Sequence, residues 1–289
     1  SIRNKEDFET ARTKIREKLG KNFTLNAQNN SKINILFTEQ HIKYLSDQAV
    51  NQSVEVIRKR VDESGTREPN IQKQGDDRIV VQLPGIKNPD RIKSLIGKTA
   101  KLNLHLVDPT TVELARQRGK LPPGTIKLEN ASPTAFEKEF IIKKRILMSG
   151  ERLTNATATV DPQSGKYVVS FELDRKGAKK FGKITTENKF KRLAIILDNK
   201  VISAPQIREP ITGGQGNITG NFTPESANDL AVLLRAGSLP APIKIIEERS
   251  VGPSLGADSI EAGKKALIVG FFAVIIFMIL KYGLFGIFA

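Results

Sequence analysis

The chain contains no cysteine, no tryptophan and only two histidines among its 289 residues. Without cysteine there is neither a disulfide framework nor thiolate chemistry, and the redox compartment stays open. His41 and His105 have no carboxylate at ligand spacing nearby, so no metal and no other cofactor is expected. Aromatic residues make up 6% of the chain, which supplies base-stacking platforms poorly. The net charge of +15 invites a nucleic-acid reading, but the basic residues run through the whole chain interleaved with acids. No nucleic-acid partner is expected. A surface close to anionic lipid is a simpler use of that charge, since each basic group near such a membrane contributes about 1 kcal/mol.

What is present near the end is an unbroken apolar run, Ala266 to Leu280. At about 1.5 Å per helical residue it reaches roughly 22 Å, short of a bilayer core of about 30 Å. The deficit closes if the helix begins near Ala262 and Lys264, Lys265 and Lys281 snorkel to the interface. A transmembrane helix over 262–282 is therefore expected, with a lipid bilayer as partner. The chain opens on Ser1 and not on methionine, and residues 283–289 are apolar again after Lys281-Tyr282. Both features suggest a piece of something longer, cut on its way into further membrane segments.

Upstream, hydrophobic content of 39% leaves room for a sizeable core and for two modules. Residues 1–31 read as a helix with Phe8, Ala11, Ile15 and Leu19 on one face, then a strand that pairs with Ile33–Phe37. Helical spacing of Val50, Val54, Ile57 and Val61 predicts a helix over Ser46 to Ser64, stopped by Gly65. Strands follow at Pro69–Lys73 and Arg78–Leu83, then a helix from Pro89 to Ile96, then a strand over Ala100–Val107 whose leucines alternate. This order of strand, helix, strand, strand, helix, strand is the ferredoxin-like split motif, placed here over 32–107 as a base.

Asp108-Pro109 breaks the pattern, and the polar segment to Glu139 reads as a linker or excursion. Beyond it, strands are expected at Ile141–Met148, Ala156–Val160, Tyr167–Leu173, Leu193–Leu197 and Val201–Ser203. Two helices accompany them, one capped by Asp174 and one opened by Thr223-Pro224-Glu225 and stopped by Gly237. Pro240-Ala-Pro242 forms a stiff joint, and Ile243–Arg249 reads as a return strand toward the membrane junction at 242–261. The fold class is thus α+β, with a head inserted at 108–241 and a terminal membrane helix. Val107, Asp108, Pro109, Leu239, Pro240 and Pro242 are hinge candidates, because a few residues at such joints can absorb a domain rotation.

No catalytic constellation is visible. Gly213-Gly214-Gln215-Gly216 lacks the Lys-Ser/Thr that reaches phosphate and magnesium, and reads as a turn. Asp76-Asp77 sit in a tight hairpin and serve its geometry. Ser203 and Ser254 have no local base partner, although a distant one is invisible to sequence. The chain is not expected to be an enzyme.

Several long stretches together resemble one family. They are Arg78-Ile-Val-Val-Gln-Leu-Pro-Gly85, Leu193-Ala-Ile-Ile-Leu-Asp198 with Lys200-Val-Ile-Ser-Ala-Pro205, Ile218-Thr-Gly-Asn-Phe222, Ala227-Asn-Asp-Leu230, Leu234-Arg-Ala-Gly237 with Leu239-Pro-Ala-Pro242, and Glu248-Arg249 with Val251-Gly-Pro-Ser-Leu-Gly-Ala-Asp258. In this order they are similar to the SecD subunit of the bacterial protein-export machinery, from about Val50 onward. Residues 1 to about 45 carry no such match. The resemblance implies a first extracytoplasmic domain followed by the second membrane span, in the cytoplasmic membrane with the large domain on the periplasmic side. It further implies SecF, the SecYEG channel and an unfolded preprotein as partners, with proton flow moving head against base. The proton-carrying carboxylate of the family belongs to a later helix, and the residues that touch preprotein are not indicated. A membrane-tethered structural or receptor module without energy coupling is the alternative.

Overall fold

The computed structural model of the chain describes residues 5–28, 32–66, 68–86, 88–117, 119–132, 137–249 and 254–282. It divides into two units, Ser1–Ile243 and Lys244–Ala289.

In the first unit, α1 (Lys5–Leu19) precedes a hairpin of β1 (Phe23–Gln28) and β2 (Lys32–Phe37), as the N-terminal pattern predicts. Part of the turn expected between those strands, residues 29–31, lies outside the described residues. Helix α2 (Glu39–Glu63) begins before the predicted Ser46, because the Thr38 hydroxyl accepts from the His41 amide and caps the helix there. Its buried residues Val54, Ile57 and Val61 pack with Ile71 of the hairpin β3 (Asn70–Gln74) and β4 (Arg78–Gln82). Helix α3 (Pro89–Gly97) starts on an Asn88 cap with proline in its first turn.

The mixed α+β class is what the structure shows, but the strands pair differently from the split-motif order. β1–β2 and β3–β4 are separate two-stranded sheets, whereas β5 (Leu102–Leu106) joins β8 (Met148–Ser149), β11 (Leu193–Leu197) and β12 (Lys200–Ser203) in a four-stranded sheet of order β12-β11-β5-β8. The cause lies in what each strand can bury. Hairpin β3–β4 offers one fully buried position in β3, Ile71, already covered by α2. Strand β11 (Leu193–Leu197) is buried at every position and so needs a partner on each edge, with apolar cover on both faces.

Cover for one face comes from the segment expected to be a linker. It contains α4 (Val112–Gln117) and β6 (Thr125–Glu129), and β6 pairs with β7 (Glu139–Lys143). Phe140 and Ile142 of that hairpin pack on Ala194 and Ile196, while Leu193, Ile195 and Leu197 point into the main core. The strand expected at Ile141–Met148 is accordingly interrupted: the chain leaves the β6–β7 hairpin after Lys143 and joins the four-stranded sheet as the two-residue β8 (Met148–Ser149).

The main core lies between this sheet and a second one of order β13-β10-β9. Strands β9 (Leu153–Val160), β10 (Tyr167–Leu173) and β13 (Gln215–Phe222) contribute Ala156, Val169, Phe171 and Ile218. Helix α5 (Arg175–Glu187), capped by Asp174, adds Phe181 and Ile184. Strand β12 (Lys200–Ser203) follows β11 through a turn at Asp198 and Asn199, both left-handed as asparagine and aspartate tolerate. Helix α6 (Pro224–Ala236) has Thr223 and Ser226 in a reciprocal capping box and buries Leu230, Leu233 and Leu234.

The strand expected over Ile243–Arg249 is absent: the segment has no regular structure, and its residues beyond Ile243 are exposed. No sheet edge takes it up, and only Ile243 reaches a core, beside Leu239. The second unit contains α7 (Ser254–Tyr282), whose start at Ser254 precedes the predicted Ala262.

Candidate functional site

The most constrained point in the first unit is a buried cation. Arg60 lies on the apolar face of α2 between Ile57 and Val61, and is 0% exposed. Its Nη1 donates to the carbonyls of Leu95 (2.8 Å), Ile96 (3.1 Å) and Lys98, and its Nη2 to Thr99 (3.4 Å) and Gly237 (3.0 Å). Those carbonyls close the C-terminal ends of α3 and α6, where helix dipoles place partial negative charge and favour a cation. Burial pushes the guanidinium down to about 10, opposed by the nearby Asp198 carboxylate. Its Nε is buried without a hydrogen-bond partner.

Around this cation two chain crossings are tied together. The Leu239 amide donates to Thr99 O at 2.9 Å. The Asp198 carboxylate accepts from the amides of Ala100 and Lys101, both at 2.9 Å, and holds Ala100 at a left-handed φ of 57°. Two ion pairs brace the same region, Arg91 with Asp229 and Arg235 with Glu63, each at 2.7 Å.

The hinge candidates therefore do not form one pair of adjacent crossings. Leu239 is 3% exposed and meets Thr99, while Pro240 and Pro242 are exposed. Val107 lies at the other end of β5, roughly 16 Å from Leu102 at about 3.3 Å per strand residue. There its amide donates to Arg192 O (3.0 Å), and the Asp108 amide donates to Ile141 O (2.8 Å). Pro109 is exposed beside them. A rigid division at 107/108 would also cut the β5–β11 register, Leu193↔Leu106 through Leu197↔Leu102. Pattern breaks at proline marked both joints in the sequence, but the pairing of β5 with a strand ninety residues on left no local signal.

The other sequence candidates are dispersed. His41 stacks among Phe37 and Tyr44, with ring centroids 5.3 and 6.1 Å away. His105 is buried, and its Nδ1 lies 2.8 Å from Lys143 O. Asp76 pairs with Lys43 and Asp77 with its neighbour Arg78. Ser203 Oγ lies 3.3 Å from Thr219 Oγ1. Gly213 and Gly214 form the turn into β13, where Gly214 has a φ of 73°. Among the described residues, no three acidic, histidine or cysteine side chains gather as a metal site.

Within α7, Ile260–Tyr282 is long and apolar enough to cross a membrane, and none of its most apolar window is buried. Its 23 residues reach about 34 Å, enough for a bilayer core of about 30 Å. An α+β body sharing its chain with such a helix defines the class as a module with one candidate membrane span.

Known proteins narrow the class. Residues 50–109 match the family described as protein translocase subunit SecDF, P1 domain, N-terminal, and residues 127–241 match the SecDF P1 head subdomain. Protein translocase subunit SecD of Rickettsia felis is 52% identical over 261 residues, covering 90% of this chain and 50% of that protein. SecD of Acetobacter pasteurianus is 47% identical over 264 residues, covering 91% and 50%. A solved structure of SecDF, a membrane component that enhances protein export, is 36% identical with a TM-score of 0.56, covering 71% of this chain and 94% of that one. Another, SecDF in a super-membrane-facing form, has 36% identity and a TM-score of 0.57 over 81% of this chain and 32% of that chain. The chain belongs to the SecD family of protein translocase subunits, auxiliary components of the Sec pathway. It spans about half the length of the SecD relatives it matches.

Proposed function

We propose that this part of the SecD subunit stands on the periplasmic side of the cytoplasmic membrane and engages preproteins as they emerge from SecYEG. With SecF and the proton-motive force it then promotes completion of their export, without itself catalysing a covalent reaction. The observation that carries this reading is the match of residues 50–109 and 127–241 to the SecDF P1 domain and its head subdomain, in a chain that also holds a candidate span. Leu239 is clamped to Thr99, whereas Pro240, Pro242 and residues 244–249 are exposed and without regular structure.

Because the chain has no cysteine, single cysteines carrying a photocrosslinker can be placed on the body of the full-length protein in a SecD-depleted strain. Adducts with a secretory precursor arrested in SecYEG support the reading, and their absence from every body position refutes preprotein engagement. Dissipating the proton gradient is expected to lengthen the life of those adducts. Unchanged lifetimes assign the chain to a tethered receptor without energy coupling.

A further inference from the structure

Helix α5, the loop after it and the excursion between β7 and β8 enclose a groove of about 730 Å³. Lys143, Arg145, Lys180, Lys183 and Lys191 line it, against a single acid, Glu187, whose carboxylate lies 3.7 Å from Lys183. Two apolar side chains stand outward at this site. Ile146, on the groove wall, is 50% exposed. Phe190, between the lining residues Asn188 and Lys191, is 67% exposed, more than any other large apolar side chain described in Ser1–Ile243.

Phe190 is held in that position by its backbone. It has a left-handed φ of 66°, its amide donates to Ile207 O at 2.7 Å, and its carbonyl accepts from Gln206 Nε2 at 2.9 Å. Lys189 Nζ sits 5.1 Å from the ring centroid, so a cation accompanies the exposed ring. The fold thus fixes an aromatic in solvent where a hydrophobic group loses most, and surrounds it with positive charge.

We infer that this face docks on the headgroup layer of an anionic phospholipid membrane, with Phe190 and Ile146 entering the boundary between headgroups and acyl chains. Three observations favour that occupant over an acidic polypeptide. The apolar groups project from the surface and are not recessed as pockets for side chains, which is the arrangement of interfacial anchors. The charge is almost wholly of one sign, complementary to phosphatidylglycerol-type headgroups. The same chain carries a helix able to span a bilayer, so a membrane is present at high effective concentration.

The test uses the full chain, reconstituted into phosphatidylcholine vesicles with or without phosphatidylglycerol. A polarity-sensitive fluorophore is attached through Ile146→Cys, which leaves Phe190 in place, and in a second protein through Phe190→Cys. Emission at both positions is expected to shift to the blue only in the anionic vesicles. The shift is expected to vanish near 1 M salt, where the Debye length falls to about 3 Å. Lys143→Gln, Lys180→Gln and Lys191→Gln alter exposed side chains, and each is expected to weaken the docked population about fivefold. Equal emission in the two vesicle types, or a shift that survives all three substitutions together, overturns the inference. A shift produced in neutral vesicles by an added glutamate-rich peptide likewise overturns it, and reassigns the groove to acidic polypeptide. None of these readouts requires export, so they stand apart from the test of preprotein engagement.

Discussion

The guanidinium of Arg60 reaches the carbonyl of Gly237, 177 residues away in sequence, at 3.0 Å. One cation thereby closes α3 and α6 and ties both to α2, with no carboxylate among the described residues in direct contact. Truncating it removes a donor from five backbone carbonyls, of which, among the described residues, only Thr99 O keeps another, the Leu239 amide. Arg60→Ala is expected to cost at least about 1–3 kcal/mol, the range for a buried acceptor left without its donor. Arg60→Lys is also expected to destabilise, because an ammonium has three donors and cannot reach both helix ends from one plane. Urea unfolding of the two variants beside the parent measures this. A loss under about 1 kcal/mol for Arg60→Ala would show that water replaces the guanidinium.

Gly237 bears a second, separable constraint. Its φ of 83° and ψ of −179° fall in a region open almost only to glycine, yet a methyl group there meets nothing within 4 Å. Gly237→Ala is therefore expected to lose about 1–3 kcal/mol through backbone strain alone. Paired with Arg60→Ala it should give a non-additive double-mutant cycle, since the glycine sets where its carbonyl points. Additive losses would mean that the carbonyl keeps its place without the glycine.

These two residues also show where sequence reading reaches its limit. Gly237 was legible, because a helix opened by Thr223-Pro224 and stopped by glycine is coded within one segment. Arg60 was not, because its partners are backbone carbonyls between 35 and 177 residues away and no side-chain pattern marks them. The same reason hides the sheet order. The alternation of Leu102, Leu104 and Leu106 announces a strand with one apolar face, but says nothing of whether β3 or β11 will lie beside it. Strand propensity at Ile243–Arg249 misled for the converse reason, since a strand forms only where an edge receives it.

Acid is expected to loosen the body over a defined range. Hydrogen bonding from the Gly177 amide, together with Arg152, holds Asp174 below its ordinary 3.8. The paired Arg192 holds Glu137 below its ordinary 4.5. For carboxylates depressed in this way, the folded state releases protons more readily than the unfolded one. Their contribution is complete above about pH 5 and is lost as pH falls through the folded values. Arg60 behaves oppositely and elsewhere: depressed to about 10, it adds stability only as pH rises from there toward the ordinary arginine range. Thermal midpoints are thus expected to be flat from about pH 5 to 9 and to fall below about pH 4. Asp174→Asn with Glu137→Gln should flatten the acid limb, and an unaltered acid limb in that variant would place the sensitive groups elsewhere.

The candidate span gives a prediction that depends on position along one helix. Val274 lies inside Ile260–Tyr282 and is exposed on the isolated chain, whereas Leu280 stands beside Lys281 at the end. If α7 crosses a bilayer, Val274→Arg puts a guanidinium near the apolar centre, at a cost of about 2.5–3.5 kcal/mol to insertion. Leu280→Arg costs far less, since a long basic side chain at the helix end snorkels to the headgroups as Lys281 does. Alkaline extraction of membranes carrying each variant reads the difference directly. Val274→Arg is expected to move a large share of the chain into the soluble fraction and Leu280→Arg to leave it in the pellet. Equal extraction of both would mean that α7 is held by contacts indifferent to depth, as a helix packed against protein would be.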